Sequence, residues 1–178
     1  MTKVKICGLK TIKDIQAVNR WKPDFAGFVF APGKRQITPG HAAELRRALD
    51  PGIQAVGVFV NAPVEEAAAL SNTGVIQLIQ LHGDEDAVYM EELRKRTDKP
   101  LIKAVAARSQ EEILKAEKLP CEYLLLDAYQ KGSPGGNGET FDWNIIPPLK
   151  KNWFPAGGLS PETGEQARKV CRPLGGEV

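Results

Sequence analysis

Cysteine is scarce in this chain, with only Cys7, Cys121 and Cys171 in 178 residues. The set is odd in number and widely spaced, with no CxxC pair and no run toward His41 or His82 that suits zinc. It gives neither a disulfide framework nor a metal centre, and it fits a reducing compartment. Long apolar runs are also missing. The start, MTKVKICGLK, has no stretch long enough for a signal peptide, and no segment approaches the ~20 apolar residues of a spanning helix. A cytoplasmic protein with no membrane contact is expected. Charge of one sign is lacking as well: 24 Lys and Arg stand against 22 Asp and Glu. No broad field grips nucleic acid or anionic lipid, so an anionic ligand must be met locally.

What remains is the composition of a soluble globular chain, 42% apolar and 26% charged with 17 Gly and 13 Pro. Folding of a chain this long buries roughly 70% of its surface, so a full core needs no cross-link. Short β-branched runs predict strands at Val4 to Cys7, Ala26 to Phe30, Gln54 to Val60, Val75 to Leu81, Leu101 to Val105, Tyr123 to Asp127 and Phe154 to Gly157. Runs such as VGVFV and YLLLD are nearly continuous in apolar residues, as parallel strands covered on both faces are.

Helices are predicted between them near Thr11 to Trp21, Pro39 to Ala48, Pro63 to Ser71, Asp86 to Arg96, Ser109 to Lys118 and Pro161 to Cys171. Thr11, Thr38, Ser109 and Ser160 suit N-caps, with Pro39 and Pro161 at the first helical position. FDWNIIPPLK reads as a shorter helix that its prolines end.

Evenly repeated strand-helix units leave two solutions, an open doubly wound sheet or a (β/α)₈ barrel. No GxGxxG follows the first strand, and chemically useful residues stand at most strand C-terminal ends, which together favour the barrel over residues 1–178 as a single domain. Only seven strands are counted. An eighth can begin only around Leu174 to Val178, with no helix after it, so the eighth strand-helix unit is expected to be truncated or outside this sequence, leaving open sheet edges.

Cys7 ends the first strand, where Gly8 lets the backbone turn away. It reads either as a base or nucleophile, its thiolate favoured by a cation such as Lys5, or as a small buried apolar residue. Asp127 ends YLLLD beside a low-dielectric interior, a place for a general acid or for a turn residue. Asp84 and Glu85 read as first-turn helix charges meeting the macrodipole.

Gly132 to Gly138 reads as a lid or a surface loop; without GK[ST] it is no P-loop. Gly157 and Gly158, ahead of a helix start, suit phosphate binding through backbone N–H groups, or a tight turn. His82 ends QLH and Arg35 follows the second strand. Each is structural or solvated by default, yet both stand at the mouth, where a guanidinium can clasp a carboxylate.

KICGLK, GFVFAPGKRQIT, VGVFVN, IQLHGDE, LLLDAYQKGSPGGNGETFDW and AGGLSPE, in this order, resemble the phosphoribosylanthranilate isomerase family of tryptophan biosynthesis over almost the whole chain. The resemblance implies a (β/α)₈ isomerase that needs no cofactor and takes a small phosphosugar substrate. It implies Cys7 as general base, Asp127 as general acid, Arg35 on the anthranilate carboxylate, Gly157 and Gly158 on phosphate, and His82 near the substrate. The implied reaction is an Amadori rearrangement of an aminoaldose phosphate to an aminoketose phosphate. The family also has an aspartate, serines and a glycine after strand eight that complete the phosphate site, where this chain reads RPLGGEV. Gly33, where the family often has a small polar residue, leaves Arg35 in register.

Two rivals are a pentose-phosphate epimerase, which would need metal ligands that two histidines without a carboxylate pair do not supply, and a non-catalytic barrel that keeps a phosphate pocket. Oligomeric state is not legible in the sequence.

Overall fold

The structure is a computed structural model, and it describes residues 3–127, 143–157 and 173–177. Eight strands are all parallel: β1 (Lys3–Cys7), β2 (Phe25–Val29), β3 (Gln54–Phe59), β4 (Leu78–Leu81), β5 (Leu101–Ala106), β6 (Tyr123–Asp127), β7 (Asn152–Ala156) and β8 (Gly175–Glu177). They follow the order β7-β6-β5-β4-β3-β2-β1-β8.

The expected open edge is bridged. β8 forms just where the sequence left room for it and pairs with β1, Lys5 facing Glu177 in register. Across the remaining gap the Leu174 N–H donates to Trp153 O in β7 at 3.0 Å. The result is a (β/α)₈-type barrel, and every strand's C-terminal end faces one mouth.

Described helices are α1 (Ile12–Trp21), α2 (Pro39–Ala48), α3 (Val64–Asn72), α4 (Ala87–Arg94) and α5 (Gln110–Glu117), with a 3₁₀ turn at Trp143–Ile145. Their starts follow the capping chemistry. Thr11 and Asp14 form a reciprocal capping box, Thr38 accepts from His41 N–H with Pro39 as the first helical residue, and Ser109 accepts from Glu112 N–H. α4 begins one residue later than expected because the Asp86 carboxylate accepts from Tyr89 N–H and caps the helix. The expected Ser160 cap, Pro161 and the helix to Cys171 lie outside the described residues, as does the Gly132 to Gly138 loop.

Two strands differ from the sequence reading by more than one residue at an end. β4 starts at Leu78 and not Val75, since Gln77 turns its side chain onto Ala55 N–H and Gly74 O and closes the preceding turn. β7 starts at Asn152, two residues early, because Trp153 is buried in the outer layer while Phe154 faces inward.

Alternation divides the core. Phe25, Val56, Leu78, Ile102, Ala104, Leu125, Phe154 and Ala156 pack together in the lumen. Phe25 meets Phe154 edge to face at 5.7 Å, although their strands are not neighbours. Ala26, Phe28, Ala55, Ile79, Leu81, Leu124 and Leu126 face the other way, onto Ile15, Val18, Leu45, Met90 and Ile113 of the helices. Lining the lumen with apolar groups leaves the polar inward positions conspicuous, and most of them lie toward the mouth.

Candidate active site

Along β1 the inward positions carry Lys5 and then Cys7, two residues apart on one face. Along β6 they carry Tyr123, Leu125 and then Asp127. Cys7 and Asp127 therefore occupy inward positions at the C-terminal ends of their strands, at the same mouth.

The Asp127 carboxylate is mostly covered, its side chain 19% exposed, and its Oδ2 lies 3.3 Å from His82 Nε2. His82 follows β4, and its Nδ1 lies 2.9 Å from Nε2 of the fully buried Gln80. With the Gln80 amide nitrogen turned to the ring, Nδ1 accepts and Nε2–H is left to donate to Asp127. Two polar side chains from the end of β4, Gln80 and His82, thus lead to the β6 carboxylate.

Cys7 is only partly buried, yet dense protein surrounds its sulfur. Burial pushes the thiol's pKa above its ordinary value, against the pull of Lys5 and Arg35. Lys5 favours the thiolate in the expected direction, and burial together with Glu177 opposes it. Lys5 is 0% exposed and its Nζ meets Glu177 Oε2 at 2.5 Å. Burial alone would lower the pKa of this ammonium, but Glu177 and Cys7 raise it, and it is held charged.

Gly27, in register with Cys7 on β2, leaves the thiol its space. A Cβ there would stand 2.7 Å from Cys7 Sγ and 3.2 Å from Lys5 Nζ.

The loop after β2 folds back over the mouth. Ile37 N–H donates to Val29 O at 2.9 Å, Gln36 Nε2 donates to Phe30 O at 3.1 Å, and Lys10 Nζ donates to Lys34 O at 2.7 Å. Arg35 is thereby laid across Gly8, whose φ of +90° and missing side chain admit it; a Cβ there would meet the Arg35 side chain. Arg35 stays exposed, near enough to Cys7 for its charge to act on the thiol. Gly157 follows β7 at the same mouth with φ +83°, and Gly158 lies outside the described residues.

Glu85 differs most from its sequence reading. It is not a first-turn helix charge, since α4 begins at Ala87: it is 5% exposed, and its carboxylate takes N–H donors from Asn61 at 2.7 Å and Gly83 at 2.9 Å and Lys103 Nζ at 2.9 Å. This cluster clips the loops after β3 and β4 to β5, beside His82. Gln80, Glu177, Gly27 and Lys103 were not singled out in the sequence. A usable signal existed for Gln80 and Lys103, each a polar residue inside an otherwise apolar buried strand.

Among the described residues no three His, Cys, Asp or Glu side chains converge as a metal's ligands would, and no helix is long and apolar enough to cross a membrane.

Groups able to take and to give protons thus share the open end of a parallel barrel, the arrangement of a (β/α)₈ acid-base enzyme. Residues 4–178 match the N-(5'-phosphoribosyl)anthranilate (PRA) isomerase family. An N-(5'-phosphoribosyl)anthranilate isomerase from Lachnoclostridium phytofermentans is 43% identical over 189 residues, covering 99% of this chain and 87% of the relative. The crystal structure of phosphoribosyl anthranilate isomerase from Thermotoga maritima superposes with a TM-score of 0.88 at 33% identity, covering 100% of this chain and 87% of that one. Another phosphoribosyl anthranilate isomerase structure, in complex with reduced 1-(o-carboxyphenylamino)-1-deoxyribulose 5-phosphate, matches at TM-score 0.80 and 29% identity over 100% of this chain and 87% of that one. The chain belongs to the N-(5'-phosphoribosyl)anthranilate isomerase family.

Proposed function

We propose that this chain, as a single barrel domain over residues 1–178, converts N-(5'-phosphoribosyl)anthranilate to 1-(2-carboxyphenylamino)-1-deoxyribulose 5-phosphate in tryptophan biosynthesis, with Cys7 as general base and Asp127 as general acid. The observation that carries this reading is the pair of inward positions, one on β1 and one on β6, that offer a thiol and a carboxyl to one mouth.

Asp127 gives a proton to the furanose ring oxygen as the lone pair of the anthranilate nitrogen opens the ring to a Schiff base. The carboxylate so formed accepts from His82 Nε2–H, which spreads the charge that develops there. Cys7 as thiolate then takes the proton from C2′. The electron pair of that C–H bond moves into a C1′–C2′ double bond and neutralises the iminium, and the resulting enolamine tautomerises to the ketone.

Arg35, exposed near Cys7, is the proposed partner of the anthranilate carboxylate, and the backbone at Gly157 and Gly158 the proposed holder of phosphate. These proton transfers call on no cofactor. The reaction is assigned to the cytoplasm, where free thiols such as Cys7 and Cys121 stay reduced.

The test is conversion of phosphoribosylanthranilate, followed by loss of its fluorescence. Wild-type turnover with Cys7→Ala and Asp127→Asn each lowered at least ~10²-fold supports the assignment, and near-normal turnover in either folded variant rejects it.

A further inference from the structure

We propose that Lys5 and Glu177 act together as positioning residues that set the charge of Cys7, Lys5 making the thiolate attainable and Glu177 keeping it basic enough to take a proton from carbon. The proposal rests on the reading of Cys7 as the general base.

A lysine with no exposed surface in the lumen of a barrel is costly to bury unless its charge is used. Here the ammonium has two neighbours. Glu177 on β8 sits opposite Lys5 in register and meets its Nζ, and Cys7, two residues on along β1, lies on its other side, one Cβ position on Gly27 being within 2.7 Å of the sulfur and 3.2 Å of the ammonium. Gly27 on β2 brings no atom between them; a Cβ there would intrude on both the sulfur and the ammonium. The charged groups acting on the thiol are therefore Lys5 from below, Glu177 from β8 and Arg35 from the loop after β2.

Charge counting through the reaction shows why two residues are needed. With Cys7 as thiolate, the buried set of sulfur, ammonium and carboxylate carries one net negative charge; once the sulfur has taken its proton, the set is neutral. Were Glu177 absent, the same step would turn a neutral thiolate-ammonium pair into an unpaired buried cation, and the thiolate would resist protonation. Were Lys5 absent, forming the thiolate would place two anions side by side in a poorly solvated pocket. The pair thus holds the sulfur between those extremes. Burial raises the thiol's pKa overall, which leaves a base of useful strength whose ionised form still has a cation in contact.

The readout is alkylation of Cys7 by iodoacetamide across pH on the whole chain without substrate, followed at the Cys7 peptide by mass spectrometry so that Cys121 and Cys171 do not contribute. Lys5→Met is expected to move the midpoint up, with roughly tenfold slower alkylation at a fixed pH below it, and Glu177→Gln to move it down. The acid limb of the kcat/KM pH profile should move in the same direction in each variant, a response that loss of packing alone does not produce.

Unmoved midpoints, or shifts of the same sign, overturn the inference. If Lys5→Met does not fold, Glu177→Gln decides alone: a lower midpoint supports the pair, and an equal or higher one overturns it. Full activity in Cys7→Ala would instead overturn the assignment of the base, whatever the alkylation shows.

Discussion

His82 presents Nε2 to Oδ2 of Asp127 at 3.3 Å, while Gln80 holds its other ring nitrogen at 2.9 Å. This is a relationship between strands two apart in the barrel, made through the mouth. His82→Ala should leave the carboxyl in place but without its donor. A hydrogen bond to a charged group is worth about 1.5–3 kcal/mol, so kcat should fall roughly tenfold or more with KM little changed. Steady-state kinetics at saturating substrate check this.

Arg35→Ala should raise KM for phosphoribosylanthranilate by roughly tenfold or more with less effect on kcat, because a guanidinium on a spectator carboxylate binds ground state and transition state alike. An unchanged KM would remove Arg35 from the substrate's contacts.

Gly27→Ala places a methyl 2.7 Å from Cys7 Sγ and 3.1 Å from Cys7 Cα. Backbone on one side and the Cys7 sulfur on the other leave it nowhere to go. Overpacking of this kind costs about 1–3 kcal/mol, and turnover should fall sharply. Gly40→Ala, in α2 with open space around its Cβ, is the control: stability equal or slightly raised and turnover unchanged. Urea denaturation with kinetics on both variants distinguishes them.

Glu85→Gln should cost about 3–5 kcal/mol in denaturant unfolding, since it leaves the Lys103 ammonium buried without its anion. Replacing both, Glu85→Gln with Lys103→Met, should recover part of the loss.

Two surface groups at the α1 and α2 starts give opposite pH dependence. The pKa of Asp14 is held below its ordinary value, first by Lys10 N–H and also by Thr11, so its contribution is present above the ordinary carboxylate range and fades as pH falls through the folded value. His41 is raised, first by its contact with Lys10 O and then by Glu44; its contribution is present below the unfolded imidazole value and fades as pH rises through the folded one. Unfolding free energies measured against pH should show the gap between wild type and Asp14→Ala close as pH falls below the ordinary carboxylate range, and that between wild type and His41→Ala close as pH rises beyond the ordinary imidazole range.

Much of this was legible locally. Thr11, Thr38 and Ser109 announce helix starts because a cap acts within three residues, and Asp127 marks a strand end because it closes the apolar run YLLL. What stayed hidden depends on residues distant in sequence. Glu85 looks like a first-turn helix charge in GDED because its partner Lys103 lies on another strand, and Glu177 is unremarkable until β8 aligns it with Lys5 at the opposite end of the chain. Gly27 resembles any strand glycine until the neighbouring strand's thiol is seen beside it.

The Glu85 carboxylate also makes two distant peptide groups answer to one event. The amides of Asn61 and Gly83 sit on different loops but donate to the same side chain. Neither can trade its hydrogen for deuterium until that carboxylate swings free, so once each is corrected for its own intrinsic exchange rate both should report one common opening free energy.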